Sequence, residues 1–153
     1  MEKLIVQNSI EINANPAAVW DALTNPEKTK IYMYGCEAVS EWTPGSELLW
    51  KGNYEGNEMV FVKGKIVAIE AGKLLKYTVI DPNSGMPDLP ENYLDVTYRL
   101  EETNGKTLLT VTQDGFEGAA DSEKRYKDIS NNGEGWNPIL VEIKKLVESG
   151  DNL

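Results

Sequence analysis

The sequence predicts an α+β fold: a curved antiparallel sheet of about seven strands wrapped on a long C-terminal helix, with two short helices between the first and second strands. Three observations predict it. Much of the chain alternates apolar and polar residues, short turn motifs separate these segments, and the C-terminal segment changes to a helical period. A chain of 153 residues fits one core, so we expect a single domain spanning residues 1–153.

The N-terminal part predicts one strand followed by two short helices. Between residues 4 and 12 the apolar residues mostly occupy even positions, which is the pattern of a half-buried strand. Asn15 can cap a helix and Pro16 suits its first turn, so a helix is expected to end near residue 25. Pro26 cannot continue that helix, but it can open a second one through residue 30.

Six more strands follow, separated by turns rich in Gly, Asn and Pro. They are predicted near 35–39 and at 47–54, 59–70, 74–80, 93–101 and 107–114. The turns are mostly short enough for hairpins, so consecutive strands should pair antiparallel. The apolar phase is mixed within 59–70, where Gly64 is expected to mark a bulge or bend. The longer, Pro-rich segment 81–92 is expected to be a loop that overhangs a cavity mouth.

The C-terminal segment predicts a long amphipathic helix. Its apolar stripe consists of Trp136, Ile139, Leu140, Ile143, Leu146 and Val147. Residues 121–130 are expected to form one or two separate helical turns, ended by the Asn-Asn-Gly at 131–133. Gly133 and Gly135 admit two interpretations: a hinge that lets residues 119–132 open a portal, or a cap or close packing contact ahead of the helix.

Composition excludes several classes of function. The 25 acidic and 15 basic residues give a formal charge of -10, which disfavours nucleic acid and anionic lipid surfaces as partners. The chain has no histidine, so it has neither a histidine-based triad nor an imidazole zinc site. Cys36 is the only cysteine, which fits a reducing cytoplasm. We expect neither a signal peptide nor membrane insertion, because no apolar run is long enough.

Candidate catalytic and metal-binding residues are weak. The carboxylate pairs Glu55 with Glu58 and Asp114 with Glu117 sit beside turns or strand ends, where acidic residues are usually solvated. Cys36 lacks a histidine that could activate it as a nucleophile, although a nearby lysine could lower its pKa. No EF-hand spacing is present. The sequence therefore predicts no catalytic residue, no metal and no cofactor.

Four segments carry a family resemblance that covers nearly the whole chain. They are INANPAAVWDALTNPE at 12–27, GKIVAIEAGKLLKYT at 64–78, GKTLLTVTQDGF at 105–116 and GWNPILVEIKKLVE at 135–148. With the predicted order of elements, they make the chain resemble the START-like superfamily, also called SRPBCC or helix-grip. The specific branch is the one related to the C-terminal domain of the activator of the heat-shock-protein-90 ATPase. These motifs specify a fold more than a function.

The resemblance implies a hydrophobic cavity between the sheet and the C-terminal helix. Members of the superfamily carry lipids or polyketides, some cyclise them, and one branch stimulates the chaperone's ATPase. Gln113 is the sharpest polar candidate in such a cavity, although a glutamine near a strand end can equally bond to backbone or solvent. The alternative to a cavity is that the same side chains fill their own core. The expected ligand-binding residues are Tyr32, Trp50, Tyr54, Phe61, Tyr77, Tyr98, Gln113, Trp136, Ile139, Leu140 and Ile143.

Three functions remain open at this level. The first is non-catalytic, cytoplasmic binding of a small hydrophobic molecule, which could be a lipid, a polyketide or an aromatic metabolite. The second is a protein-interaction module resembling the heat-shock ATPase activator, with a chaperone or another protein as partner and a role in the stress response. The third is a cyclase or hydrolase of an apolar substrate. The family resemblance and the apolar inward faces favour the first.

Overall fold

One antiparallel sheet dominates the structure, a computed structural model that describes residues 4–33, 35–83 and 85–149, apart from the side chain of Asn132. The strand order is β1-β7-β6-β5-β4-β3-β2, and every neighbouring pair is antiparallel. The strands are β1 (Val6–Ile12), β2 (Glu37–Ser40), β3 (Glu47–Tyr54), β4 (Asn57–Glu70), β5 (Leu74–Val79), β6 (Leu94–Thr103) and β7 (Lys106–Asp114). Their bounds lie within about two residues of the predicted ones.

Four α-helices accompany the sheet in the described ranges: α1 (Pro16–Thr24), α2 (Pro26–Tyr32), α3 (Ser122–Ser130) and α4 (Asn137–Glu148). Two short 3₁₀ helices, Pro90–Asn92 and Asn131–Gly133, precede β6 and α4. The side chain of Asn15 caps α1 by accepting a hydrogen bond from Ala18 N at 3.0 Å. Asn25 caps α2 in the same way through Glu27 N. Both α1 and α2 fall between β1 and β2, so the predicted α+β fold is confirmed.

The helix α4 covers the sheet through its apolar stripe. Leu140 and Ile143 are fully buried, and Leu146 and Val147 pack against the same core. No side chain of its own caps the helix start. Instead, the side-chain oxygen of Asn8 on β1 accepts a hydrogen bond from Trp136 N at 2.9 Å. The first turn of α4 is therefore capped by another part of the chain.

Gly135 makes this cap possible. Its φ is +52°, and a Cβ at this position would lie 2.4 Å from the side-chain oxygen of Asn8 and 2.9 Å from a methyl group of Val6. Gly135 thus marks a close packing contact, the second of the two interpretations of the glycines ahead of α4. Gly133 has open space around it.

Two register shifts bend β4 and explain its mixed apolar phase. The pairing with β3 shifts at Trp50 and Lys51, which leaves Phe61 as an extra residue on β4. The pairing with β5 shifts between Ile66 and Ala68. At each shift, the side chains that face inward change from even to odd residue numbers or the reverse. The shifts flank Gly64, where the sequence predicted a single bulge.

Gly64 serves a different purpose, which is close approach of two strands. A Cβ there would lie 1.6 Å from the carbonyl oxygen of Thr78 on β5. Only a glycine allows the backbones to come this close without moving one of them.

The loop after β5 is held by polar contacts rather than by burial. Asp88 accepts hydrogen bonds from Lys63 Nζ at 2.5 Å and from the Tyr93 hydroxyl at 2.6 Å. Asn92, which is buried, donates to Pro87 O and accepts from Ala120 N, both at 2.8 Å. These bonds attach residues 85–92 to β4 on one side and to the segment before α3 on the other.

Gly64→Ala should destabilise the protein strongly, by about 2 to 3 kcal/mol or more, because the added methyl group meets backbone that cannot yield locally. Gly52→Ala is the matched control. Its Cβ would lie 3.0 Å from a ring carbon of Phe61 and 3.4 Å from the Cys36 sulfur, which are side-chain atoms that can shift. Urea denaturation measures both. Equal losses for the two variants would contradict the role assigned to Gly64.

The attachment of residues 85–92 should weaken in acid. A hydrogen bond from Lys63, and to a smaller extent one from Tyr93, lowers the pKa of the Asp88 carboxyl. The hydrogen bond to Asp88 in turn raises the pKa of Lys63. A carboxylate with a lowered pKa in the folded state stabilises it above the unfolded pKa, and this stabilisation is lost as the pH falls through the folded pKa. Tyr93 ring shifts in NMR should change below roughly pH 4. In Asp88→Asn this transition should be absent; its persistence would point to another group.

Candidate ligand-binding cavity

A cavity of about 610 Å³ lies between the sheet and the start of α4. Its wall is built from β3, β4, β5, β6 and β7, from the short connection between α2 and β2, and from the first turn of α4. Six of the eleven residues that the sequence singled out line it: Trp50, Phe61, Tyr77, Gln113, Trp136 and Ile139. Part of the predicted set therefore borders an open space.

The other five predicted residues lie elsewhere. Tyr32, Tyr98, Leu140 and Ile143 are buried in the core and do not reach the cavity surface. Tyr54 is 57% exposed, which corrects the expectation that it faces inward. Although it shares the parity of Trp50, it lies at the end of β3, where it pairs with Asn57 next to the hairpin turn. The main neighbours of β3 are the strands β2 and β4, and the Tyr54 side chain at its end meets solvent.

Eight further wall residues were missed. Val79 and Val96 follow the inward phase of β5 and β6, so the strand pattern could have found them. Val62 pairs with the inward-facing Trp50, and the register shift places the extra residue Phe61 beside it, so both neighbours line the wall although they alternate in sequence. The remaining five lie in the α2–β2 connection and near the end of β3, where no periodic signal exists: Met33, Gly35, Cys36, Gly52 and Asn53. The loop 81–92, expected at the cavity mouth, contributes no described residue to this wall.

A row of aromatic rings runs from the sheet to α4. Trp50 and Tyr77 have ring centroids 6.3 Å apart, as do Tyr77 and Tyr98. Tyr98 then meets Trp136 edge-on, at 6.0 Å and 84°. Such tilted and edge-to-face pairs are favourable by about 0.5 to 1.5 kcal/mol beyond burial. The row connects α4 to the middle of the sheet along one side of the cavity.

Two polar contacts fix side chains around the cavity. The Trp136 indole donates from Nε1 to Oε1 of Gln113 at 2.9 Å, and both side chains are buried. The Tyr32 hydroxyl donates to the carbonyl oxygen of Ala22 at 2.8 Å, which ties the end of α2 to α1. In both cases a buried donor is hydrogen-bonded to an acceptor, as is usual for buried polar groups.

Tyr98 is the exception. Its hydroxyl is buried and makes no hydrogen bond of normal geometry with a described residue, although it interacts with the Tyr77 side chain. Burial raises the pKa of Tyr98, and it raises the pKa of Tyr32 and Tyr77 as well. All three phenols therefore stay neutral at any ordinary pH.

Cys36 places a thiol on the cavity wall. The side chain is partly buried on the wall, and burial raises the pKa of its thiol. The thiol is accordingly protonated near neutral pH, which is the less nucleophilic form. The other lining residues carry no charge, so the cavity surface as a whole is uncharged and mostly apolar.

The described part of the chain shows neither a metal site nor a membrane span. Within it, no three Cys, Asp or Glu side chains converge as metal ligands would. None of its helices is long and apolar enough to cross a membrane.

Comparison with known proteins places this geometry in a family. Residues 13–148 match the family model described as Activator of Hsp90 ATPase homolog 1-like protein. The chain belongs to this family. The match covers the early helices, six of the seven strands and α4, and it confirms the resemblance that the sequence motifs indicated. Among curated proteins, none matches the chain significantly.

Solved structures of similar chains share the fold of this family member. ChR145 from Cytophaga hutchinsonii is 38% identical over 100% of both chains, with a TM-score of 0.76. CalU16 from Micromonospora echinospora is 21% identical over 94% of this chain and 73% of its own, with a TM-score of 0.65. The structure described as the Aha1 dimer from Colwellia psychrerythraea is 17% identical over 97% and 98%, with a TM-score of 0.68.

Tyr98→Phe should leave stability unchanged or raise it by up to about 1 kcal/mol, because it removes a buried hydroxyl whose contact with Tyr77 falls short of a normal hydrogen bond. Tyr32→Phe deletes the same group from a tyrosine whose hydroxyl is bonded, and it should destabilise by about 1 kcal/mol. Thermal and urea unfolding of the two variants provide the comparison. A loss of stability in Tyr98→Phe would mean that its hydroxyl has a partner in solution.

Proposed function

We propose that this family member binds a small hydrophobic molecule non-covalently in the 610 Å³ cavity, and that it does so in the cytoplasm. The observation that carries the proposal is the cavity itself: a partly open space with an uncharged, largely aromatic and aliphatic wall. Its volume falls within the range of about 300 to 1,000 Å³ that is typical of small-molecule sites. Lipids, polyketides and aromatic metabolites all fit this description.

The protonation states of the wall favour binding over chemistry. Cys36 and Tyr77 are its ionisable side chains in the described ranges, and burial raises the pKa of both. A general base or nucleophile has to be available in its deprotonated form near the working pH. Neither group meets this requirement, so the wall can hold an apolar molecule but offers it no ready general base or nucleophile.

A second candidate function is protein interaction. The observation in its favour is the family match over residues 13–148, whose description refers to activation of the Hsp90 ATPase. In that case a chaperone would be the partner, and the exposed acidic surface would be the contact region. Stimulation of a chaperone's ATP turnover by the purified chain, together with no apolar ligand, would favour this function.

Binding in the cavity can be tested with the uncharged fluorescent probe N-phenyl-1-naphthylamine. Saturable fluorescence enhancement is expected in the wild type. Ile139→Trp puts a larger side chain into the cavity and should weaken probe binding about tenfold or more. Val67→Trp is the matched control, because Val67 is 47% exposed and lies outside the cavity wall.

Cys36 reports on the same site independently. It is the only cysteine and lies on the cavity wall, so a bound molecule should slow its alkylation by iodoacetamide. Probe binding that Ile139→Trp leaves unchanged, with no protection of Cys36, would show that the probe binds elsewhere and would refute cavity binding.

A further inference from the structure

Gln113 occupies a special position on the cavity wall. It lies near the end of β7, is only 5% exposed, and pairs with Val6 and Val96 on the neighbouring strands. Its side chain lines the 610 Å³ cavity and also an adjoining hollow of about 270 Å³ next to α3. Val62 and Val79 line both spaces as well, so Gln113 stands where the two meet.

The hydrogen bond from Trp136 fixes the orientation of the Gln113 amide. An indole N–H is only a donor, so the atom 2.9 Å from Trp136 Nε1 has to be the amide oxygen. The amide nitrogen then points to the other side, with two N–H groups to donate. No described residue accepts a hydrogen bond from it. A donor without a described protein partner therefore remains available beside a mostly apolar cavity.

The charges around Gln113 indicate which acceptors it can receive. The wall of the larger cavity has no charged side chain. The adjoining hollow is lined by one cation, Arg125, and by two carboxylates, Asp81 and Asp128. Arg125 already donates to Asn92 O at 2.9 Å and to Ala120 O at 3.4 Å. An anionic ligand group would lose its hydration here and meet more negative than positive charge.

We propose that Gln113 makes the cavity selective for apolar molecules that carry an uncharged hydrogen-bond acceptor, such as the carbonyl of a ketone, ester, lactone or amide. The acceptor receives an N–H of Gln113, and the apolar body lies against the aromatic wall formed by Trp50, Tyr77 and Trp136. Trp136 acts as a positioning residue because it holds the amide in the donating orientation. This inference rests on the proposed function.

A matched pair of compounds tests it on the unmodified protein. 2-Acetylnaphthalene and 2-isopropenylnaphthalene have nearly the same shape, and the second replaces the carbonyl oxygen with a CH₂ group. Displacement of N-phenyl-1-naphthylamine gives their relative affinities. The ketone should bind about two- to tenfold more tightly than the alkene, which corresponds to one net hydrogen bond. 2-Naphthoate, which carries an anionic acceptor, should bind most weakly of the three.

Gln113→Glu tests the contribution of the amide N–H groups while keeping the rest of the side chain similar. The variant keeps an oxygen that can accept from Trp136 Nε1 and loses the amide N–H groups. The preference for the ketone over the alkene should disappear, while binding of the alkene persists. Val67→Glu places the same charge on the exposed face of β4 and should leave the preference intact.

The outcomes distinguish this inference from the proposed function. Equal binding of ketone and alkene by the wild type overturns the selectivity but leaves cavity binding in place. Tightest binding of 2-naphthoate overturns it in favour of an anion site that uses Arg125. If none of the three compounds displaces the probe and Cys36 is not protected, cavity binding fails and the selectivity fails with it. The wild-type comparison decides the matter even if Gln113→Glu does not fold.

Discussion

The position of α4 relative to β1 determines the rest of the interior. At its start, Asn8 accepts the hydrogen bond from Trp136 N, with Gly135 leaving room for the contact. At its end, Glu148 accepts from Asn13 N and Lys144 donates to Glu11 O, both at 2.7 Å. The helix is thus fixed along one edge of the sheet and packs mainly on β1, α1 and α2. The cavity lies further along the sheet, where β3 to β7 and the first turn of α4 border it.

Much of the fold could be predicted because the spacing of apolar residues and the positions of capping and turn residues are local properties of a chain. The half-buried strands β1, β3 and β7 and the stripe of α4 each show one clear period, and the caps at Asn15 and Asn25 stand directly before prolines. The cavity could not be predicted with the same certainty. Whether inward side chains meet or leave a void depends on the distance between α4 and the sheet, and tertiary contacts such as Asn8 with Trp136 set that distance.

The errors on the strands have a common cause. Whether a residue number is odd or even predicts which face of a strand its side chain is on, but not whether the cavity extends to that point of the strand. Tyr54 has the parity of Trp50 but lies at the hairpin end of β3, where its side chain is exposed. Conversely, Val62 has the opposite parity to Phe61 and still lines the cavity, because one extra residue in β4 shifts the register between β4 and β3. Gln113 was found because β7 pairs regularly on both sides, so its parity holds to its end.

A void of this size removes contacts from the atoms that line it, and this has a cost in stability. The lining rings compensate in part by contacting one another, since Trp50 packs on Tyr77 and Trp136 packs on Tyr98 behind it. Any apolar molecule that fills the space restores the lost contacts and stabilises the folded state, by about 2.7 kcal/mol at a hundred times its Kd. The unused donor of Gln113 acts differently. An apolar filling does not satisfy it and removes its access to water, so it affects which molecule binds more than whether the fold is stable.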